Sequence, residues 1–174
     1  MKRAFIITVA GTSCRFSKSV GYEVLKCLYK ENSSPSILEI LLEYAKNYFD
    51  KIIIVGGYKF DDLQNSVHES DAVKIIFNPH FVDYGSHYSL YLGLVKAINE
   101  QCNEIVFAEG DLVVDKGSFV EICEANENVI TATRELIHAD KSVAFYLNDN
   151  GEMKYIYDTE HKQLIIDEPF TLLA

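Results

Sequence analysis

Three short stretches of this 174-residue chain put chemically capable side chains directly behind apolar runs. Behind "AFIITVA" comes "GTSCRFSKS", a glycine and small hydroxyl residues carrying Arg15 and Lys18; behind "KIIIV" comes "GGY"; behind "EIVFA" comes "EGD", ending on Asp111. Gly11 lets a ligand approach the backbone closely, and the N–H groups near Thr12, Ser13 and Cys14 suit phosphate oxygens. Arg15 offers a planar fork for two such oxygens, while Lys18 and Lys26 act as flexible point charges. Asp111 is the kind of hard oxygen ligand that holds Mg²⁺. Taken singly, each has a plainer reading: a turn glycine, a solvated arginine, an aspartate capping a helix near Leu112. Together on one rim they predict a nucleoside triphosphate site.

Such a rim exists only if the apolar runs are strands of one sheet. "AFIITVA" and "KIIIVGG" are continuous and rich in β-branched residues, as in strands covered on both faces. Between them "SSPSILEILLEYAKNYF" predicts a helix, with Ser34 as N-cap, Pro35 in the first turn, and Ile37, Leu38, Leu41, Leu42, Ala45 and Tyr48 as its apolar stripe. "YKFDDLQNSV" predicts a short helix, "VKIIFN" a third strand and "EIVFAEGD" a fourth. "SHYSLYLGLVKAINE" predicts a helix capped by Ser86, with Tyr88, Tyr91, Leu92, Val95 and Ile98 at helical spacing. Asp115 is placed to cap "KGSFVEICEA". Strands and helices that alternate this way imply βαβ units and a mainly parallel sheet, whose ligands bind beyond the carboxyl ends of the strands. From Asn128 onward "NVITATREL", "SVAFYLNDNGEMKYIYD" and "KQLIIDE" read as shorter strands joined by turns, "NDNG" being a hairpin signal. The expectation is an α/β fold with a mixed, mainly parallel sheet, in one domain over residues 1–174, without repeats or linkers.

Composition narrows the field. Nearly half the residues are apolar, with 11 Tyr and 10 Phe, so disorder is excluded. No apolar run nears the roughly 20 residues of a membrane helix. "MKRAFIITVAG" resembles a short leader, but the basic loop behind it favours a buried first strand of a cytoplasmic protein. Cys14, Cys27, Cys102 and Cys123 show no C-x-x-C spacing and read as reduced thiols. A formal charge of −10 argues against a nucleic acid polymer as partner. The first 30 residues nevertheless hold six basic side chains against Glu23 alone. A local anion site on an acidic body suits a small phosphorylated ligand.

The same stretches resemble a known family. "VAGTSCRF" is similar to the first signature of the sugar-phosphate and choline-phosphate nucleotidyltransferases, A-G-x-G-x-R-F, and "LKCLYKE" to the lysine motif that follows it. "IIIVGGYKFDDL", "NPHFVDYGSHYSLYLGL" and "VFAEGDLVVD" resemble the family's second-strand, aromatic and metal-aspartate segments. Five matches in order over residues 3–115 make the signal specific. It leans toward the choline-phosphate cytidylyltransferase-like branch, which serves bacterial surface polysaccharide or phosphocholine decoration.

The resemblance implies a glycosyltransferase-A-like (Rossmann-like) three-layer sandwich. It also implies Mg²⁺-dependent transfer of a nucleoside monophosphate, with CTP the favoured donor, to a small phosphorylated substrate, releasing pyrophosphate. Arg15 would bind the triphosphate, Lys26 would bridge the α-phosphate and the incoming phosphate, and Asp111 would hold the metal. Ala10, Gly11 and Ser13 would line the nucleotide, with Asn78 and Ser86 contacting base or ribose. Two departures stand out. Ser13 replaces the family's second glycine, and the late second metal-binding aspartate has no matching motif, Asp140, Asp158 and Asp167 being unsupported candidates. That second departure suggests a substrate half shortened at the C-terminus. The competing readings are a non-catalytic nucleotide- or partner-binding protein with the same fold, and a metal-dependent glycosyltransferase using Glu109 and Asp111. His80 and His87 read as surface or hydrogen-bonded residues. Tyr84, Tyr88 and Tyr91 read as an aromatic pocket for a quaternary ammonium group or, for Tyr88 and Tyr91, as core.

Overall fold

A computed structural model describes residues 1–131, 141–160 and 166–172. They form two compact units, Met1–Ala125 and Asn126–Ala174. In the first unit, strands β1 (Arg3–Val9), β2 (Lys51–Gly56), β3 (Val73–Phe77) and β4 (Glu104–Glu109) make a parallel sheet in the order β3-β2-β1-β4. Ile6 pairs with Ile53 on one side and Phe107 on the other, so β1 is central. Its residues Ala4, Phe5, Ile6 and Ile7 are fully buried, as the unbroken apolar run predicted.

Alternation along the strands divides the core into two layers. Phe5, Ile7 and Ile54 face helix α2 (Ile37–Ala45) and helix α5 (Lys116–Glu124), where Phe119 stacks edge-on to Phe5 at 5.5 Å. Ala4, Ile6, Ile53 and Val55 face helix α4 (Ser86–Asn99), which contributes Ala97. Helices on both faces of the sheet give the three layers expected.

Local rules decide the helix ends, and some differ from expectation. Helix α2 is capped by Ser36, not Ser34: Ser36 Oγ accepts from Glu39 N–H while Glu39 takes the Ser36 N–H at 2.8 Å, a full capping box. Only Ser36 has an acid three residues on. Helix α5 takes Asp115 as its cap, as expected. Helix α4 is capped at Gly85, and Ser86 is its first residue. Its buried face is Ser89, Gly93 and Ala97, while Tyr91 and Ile98 are 56% and 65% exposed. The expected apolar stripe is therefore split: Tyr91, Val95 and Ile98 are exposed while Leu92 packs against the core, and small residues let the helix lie close to the sheet. A Cβ on Gly93 would come within 2.5 Å of Ile6.

Two further short elements belong to the first unit. Helix α1 (Cys14–Val20) occupies the stretch read as a loop, and helix α3 (Phe60–Ser66) falls where expected. In the second unit, β5 (Lys141–Asn148), β6 (Met153–Glu160) and β7 (Phe170–Leu172) form an antiparallel sheet ordered β6-β5-β7. The "NDNG" hairpin is present, with Asn148 Oδ1 accepting from the Asn150 and Glu152 N–H groups and Gly151 at φ 74°. Antiparallel pairing thus sits in a sheet of its own among the described residues. Most of the expected strand "NVITATREL" and part of "KQLIIDE" lie outside them, as does Asp140. No helix of the described residues is long and apolar enough to cross a membrane.

Candidate active site

The strand order reverses between β1 and β4, since the chain runs outward from β1 to β3 and then returns to β1's other side. Such a switch point leaves a crevice at the carboxyl ends of the two strands. A cavity of about 410 Å³ lies there, lined by Ala10, Gly11 and Ser13 after β1 and by Glu109 and Asp111 at the end of β4. Lys26, Tyr84 and Ser86 complete its walls. Six of the eight expected site residues therefore share one cavity: Ala10, Gly11, Ser13, Lys26, Ser86 and Asp111.

The turn after β1 is held by Ser13. This residue adopts the left-handed conformation, φ 55° and ψ 17°, and its carbonyl accepts from Ser17 N–H at 2.8 Å to start α1. That conformation explains why the related signature carries glycine here. The serine brings something glycine lacks, because its Oγ accepts a hydrogen bond from the Lys26 backbone N–H at 3.1 Å. Ser13 thereby ties the loop to the 3₁₀ turn Lys26–Leu28. Its hydroxyl proton stays available to a ligand oxygen.

Lys26 Nζ forms an ion pair with Asp111 Oδ2 across the crevice, each side chain being about two-fifths exposed. Next to Lys26, Cys27 is buried, and burial pushes its thiol up to about 12, so it is an inert neutral wall. Two glycines of the rim differ in kind. At Gly110 a Cβ would overlap Val9 Cγ1 and sit 3.1 Å from Thr8 O, so packing of the protein itself demands glycine. At Gly11 a Cβ would meet nothing within 4 Å, and its φ is not in the left-handed range. Neither fold nor packing requires glycine at 11, and the residue lines the cavity.

Two expected site residues lie elsewhere. Asn78 does not line the cavity and cannot contact base or ribose, because it is fully buried and its side chain is committed. Its Nδ2 donates to Ser89 Oγ at 2.9 Å and its Oδ1 accepts from His80 N–H at 2.8 Å, which fixes the segment between β3 and α4. Arg15 is exposed on α1, outside the cavity lining, and makes no ion pair or side-chain hydrogen bond among the described residues. The aromatic segment forms a packed chain of rings: His80 stacks on Tyr84 at 4.8 Å, Tyr84 meets Tyr88 edge-on at 5.2 Å, and Tyr88 stacks on Tyr91 at 5.8 Å. Only Tyr84 of these lines the cavity, and Tyr91 is exposed rather than in the core.

Phe81, Val82 and Ser89 also line the cavity without having been anticipated. Phe81 packs where a Cβ on Gly57 would collide with it, so the "GG" after β2 is the signal that an aromatic approaches there. Among the described residues no group of three or more His, Cys, Asp or Glu side chains could hold a metal ion together. Asp167, offered as a late ligand, is exposed, and Asp158 belongs to β6.

The parallel α/β/α sandwich is a fold that solved nucleotidyltransferases share. A nucleotidyltransferase from Methanothermobacter superposes with a TM-score of 0.55 at 22% identity, over 71% of this chain and 57% of that one. The inositol-1-phosphate CTP transferase of T. maritima superposes with a TM-score of 0.60 at 14% identity, over 99% and 68%. In sequence the chain is similar to the choline-phosphate cytidylyltransferase of Streptococcus pneumoniae, 34% identical over 91 residues, half of this chain and 37% of that enzyme. The sequence match agrees with the resemblance read from the five motifs, and the superpositions agree with the fold that it implies. The chain itself belongs to the family described as a domain of unknown function (DUF6564), whose profile matches residues 22–174.

Proposed function

We propose that the chain transfers a nucleoside monophosphate, CMP from CTP, to a small phosphorylated alcohol such as phosphocholine or a sugar phosphate, releasing pyrophosphate. The observation that carries this reading is the convergence of Lys26 and Asp111, 85 residues apart in sequence, on the cavity floored by Ala10, Gly11 and Ser13. The sequence match to a choline-phosphate cytidylyltransferase supports a cytidine nucleotide as donor and phosphocholine as acceptor; a role in bacterial surface decoration is part of the proposal.

The attacking group in this reaction is a phosphate oxygen already ionised at neutral pH, so no general base is needed. The work is to bring two anions together and to offset charge on the α-phosphate. Gly11 admits the triphosphate against open backbone, and the Ser13 hydroxyl donates to a phosphate oxygen. Lys26 bridges the α-phosphate and the acceptor phosphate, while Arg15 turns inward from α1 to hold the pyrophosphate. Tyr84 and Ser86 border the side of the cavity that takes the base or the acceptor head group.

Mg²⁺ fits the donor set in one particular way. Asp111 and Glu109 both line the cavity, and Mg²⁺ characteristically combines one or two carboxylates with water and substrate phosphates. The described residues supply no closed cage, so the fit is to a cation arriving with the triphosphate. Bound there, it would supply positive charge to the α-phosphate and the leaving pyrophosphate.

The test is thermal unfolding with CTP, UTP, ATP and GTP, each with and without Mg²⁺, followed by pyrophosphate release with phosphorylated alcohols and sugars. A ligand at about 100 times its Kd stabilises by about 2.7 kcal/mol, raising Tm by roughly 5–10 °C at this size. A Mg²⁺-dependent shift with CTP and pyrophosphate release is the expected result. A shift without release would point to the non-catalytic binder, and no shift with any nucleotide would refute the site.

A further inference from the structure

Resting on that nucleotidyltransferase reading, we propose that the Lys26–Asp111 ion pair is an exchange latch: each residue blocks the other's ligand, so nucleotide and divalent cation bind cooperatively through it. Lys26 is the sole basic side chain lining the cavity among the described residues, and Glu109 and Asp111 are its acidic ones. With Lys26 bound to Asp111, a metal-free triphosphate meets two carboxylates and an ammonium already engaged. It must break the pair and then lie beside a bare Asp111. A divalent cation entering alone meets the mirror-image obstacle, since the Lys26 ammonium holds Asp111 Oδ2 and repels the cation.

When both ligands enter, one rupture serves both. Asp111, once given to the cation, releases Lys26 to the phosphates, and neither charge is left without a partner. The swing is confined to side chains, because the Lys26 backbone N–H stays held by Ser13 Oγ at 3.1 Å. Both side chains are about two-fifths exposed, so neither has to leave a packed core to move. The coupling is necessarily reciprocal: whatever factor the cation adds to nucleotide affinity, the nucleotide adds to cation affinity. This linkage is additional to chelation of the cation by the phosphates in solution, because it resides in two protein side chains and is altered by mutating either.

The experiment is calorimetric titration of the full chain in two arms. In the first, CTP in EDTA and CTP with Mg²⁺ are titrated into wild type and Asp111→Asn. Asparagine removes the charge with little change in shape, so metal-free CTP should bind the variant about fivefold more tightly, the scale of a half-exposed ion pair. Its enhancement by Mg²⁺ should fall correspondingly. In the second arm, Mn²⁺ alone is titrated into wild type and Lys26→Gln, which should bind it more tightly by a similar factor. If wild type binds Mg²⁺–CTP but neither variant gains affinity for its lone ligand, the latch is refuted and the nucleotidyltransferase reading stands. If wild type binds CTP under no condition, both fall.

Discussion

Ser13 offers a perturbation whose energy terms can be separated. Its left-handed backbone, φ 55°, costs a residue with a Cβ about 1–2 kcal/mol that glycine does not pay. Glycine returns about 0.5–1 kcal/mol of this as unfolded-chain entropy. The hydrogen bond from Lys26 N–H to Ser13 Oγ, 3.1 Å and partly buried, contributes about 1 kcal/mol net. Ser13→Ala loses the bond and keeps the strain, so it should lose about 1 kcal/mol. Ser13→Gly loses the bond and relieves the strain, so it should stay within about 0.5 kcal/mol of wild type. At 174 residues this difference separates the two variants by about 1–6 °C in Tm, measurable by calorimetry and by urea unfolding. Nucleotide binding should ignore that ranking. Both variants release the Lys26 backbone, so both should weaken Mg²⁺–CTP binding by the same few-fold factor. An alanine variant as stable as the glycine one, or a glycine variant with wild-type affinity, would refute the account of Ser13.

Two other perturbations follow from the site. Gly11→Ala should raise stability slightly, by about 0.4–1 kcal/mol of unfolded-chain entropy, while abolishing the CTP-dependent shift, whereas Gly110→Ala should cost about 1–3 kcal/mol by overpacking against Val9; the reverse pattern would exchange the roles assigned to these glycines. Thiol titration of the native chain should find Cys14 alone reacting rapidly, since Cys27, Cys102 and Cys123 are buried, and CTP should slow that reaction. Burial raises the Cys27 and Cys123 thiols to about 12 and 11, so they stay protonated in the fold at a pH where the unfolded chain ionises. Stability should therefore be intact below pH 9 and decline above it, with a shallower decline in Cys27→Ala.

Much of this was legible in the sequence because the strands advertise themselves. A buried parallel strand needs an unbroken apolar run, and "AFIITVA" and "KIIIVG" supply one each. Helix α1 left no such trace. It buries no residue, so it has no apolar stripe, and its limits are set by left-handed turns at Ser13 and Gly21. Helix α4 misled for the opposite reason: Tyr91, Val95 and Ile98 of its expected stripe are exposed, and the fully buried period belongs to Ser89, Gly93 and Ala97. Small residues four apart were the available signal. In the site, the order of the motifs placed Lys26 and Asp111 on one rim, and they meet there as an ion pair although only Asp111 directly follows a strand. Asn78 shows the limit of that logic. A polar residue at a strand end looks the same in sequence whether it faces a ligand or ties a loop from beneath, and only its bonds to Ser89 and His80 tell which.

The central position of β1 has a consequence for how the protein is made. This strand is synthesised about a hundred residues before one of its two partners, β4, which begins at Glu104. At a synthesis rate of about 5–20 residues per second, roughly 5–20 seconds pass between the two. Throughout that interval β1 can pair with β2 alone, leaving an apolar edge of isoleucine and valine open beside a growing chain. Contacts that bridge about a hundred residues are the slow ones in folding. The nascent protein is therefore most dependent on chaperone protection before "EIVFAE" arrives, and the switch-point crevice comes into being only with that strand.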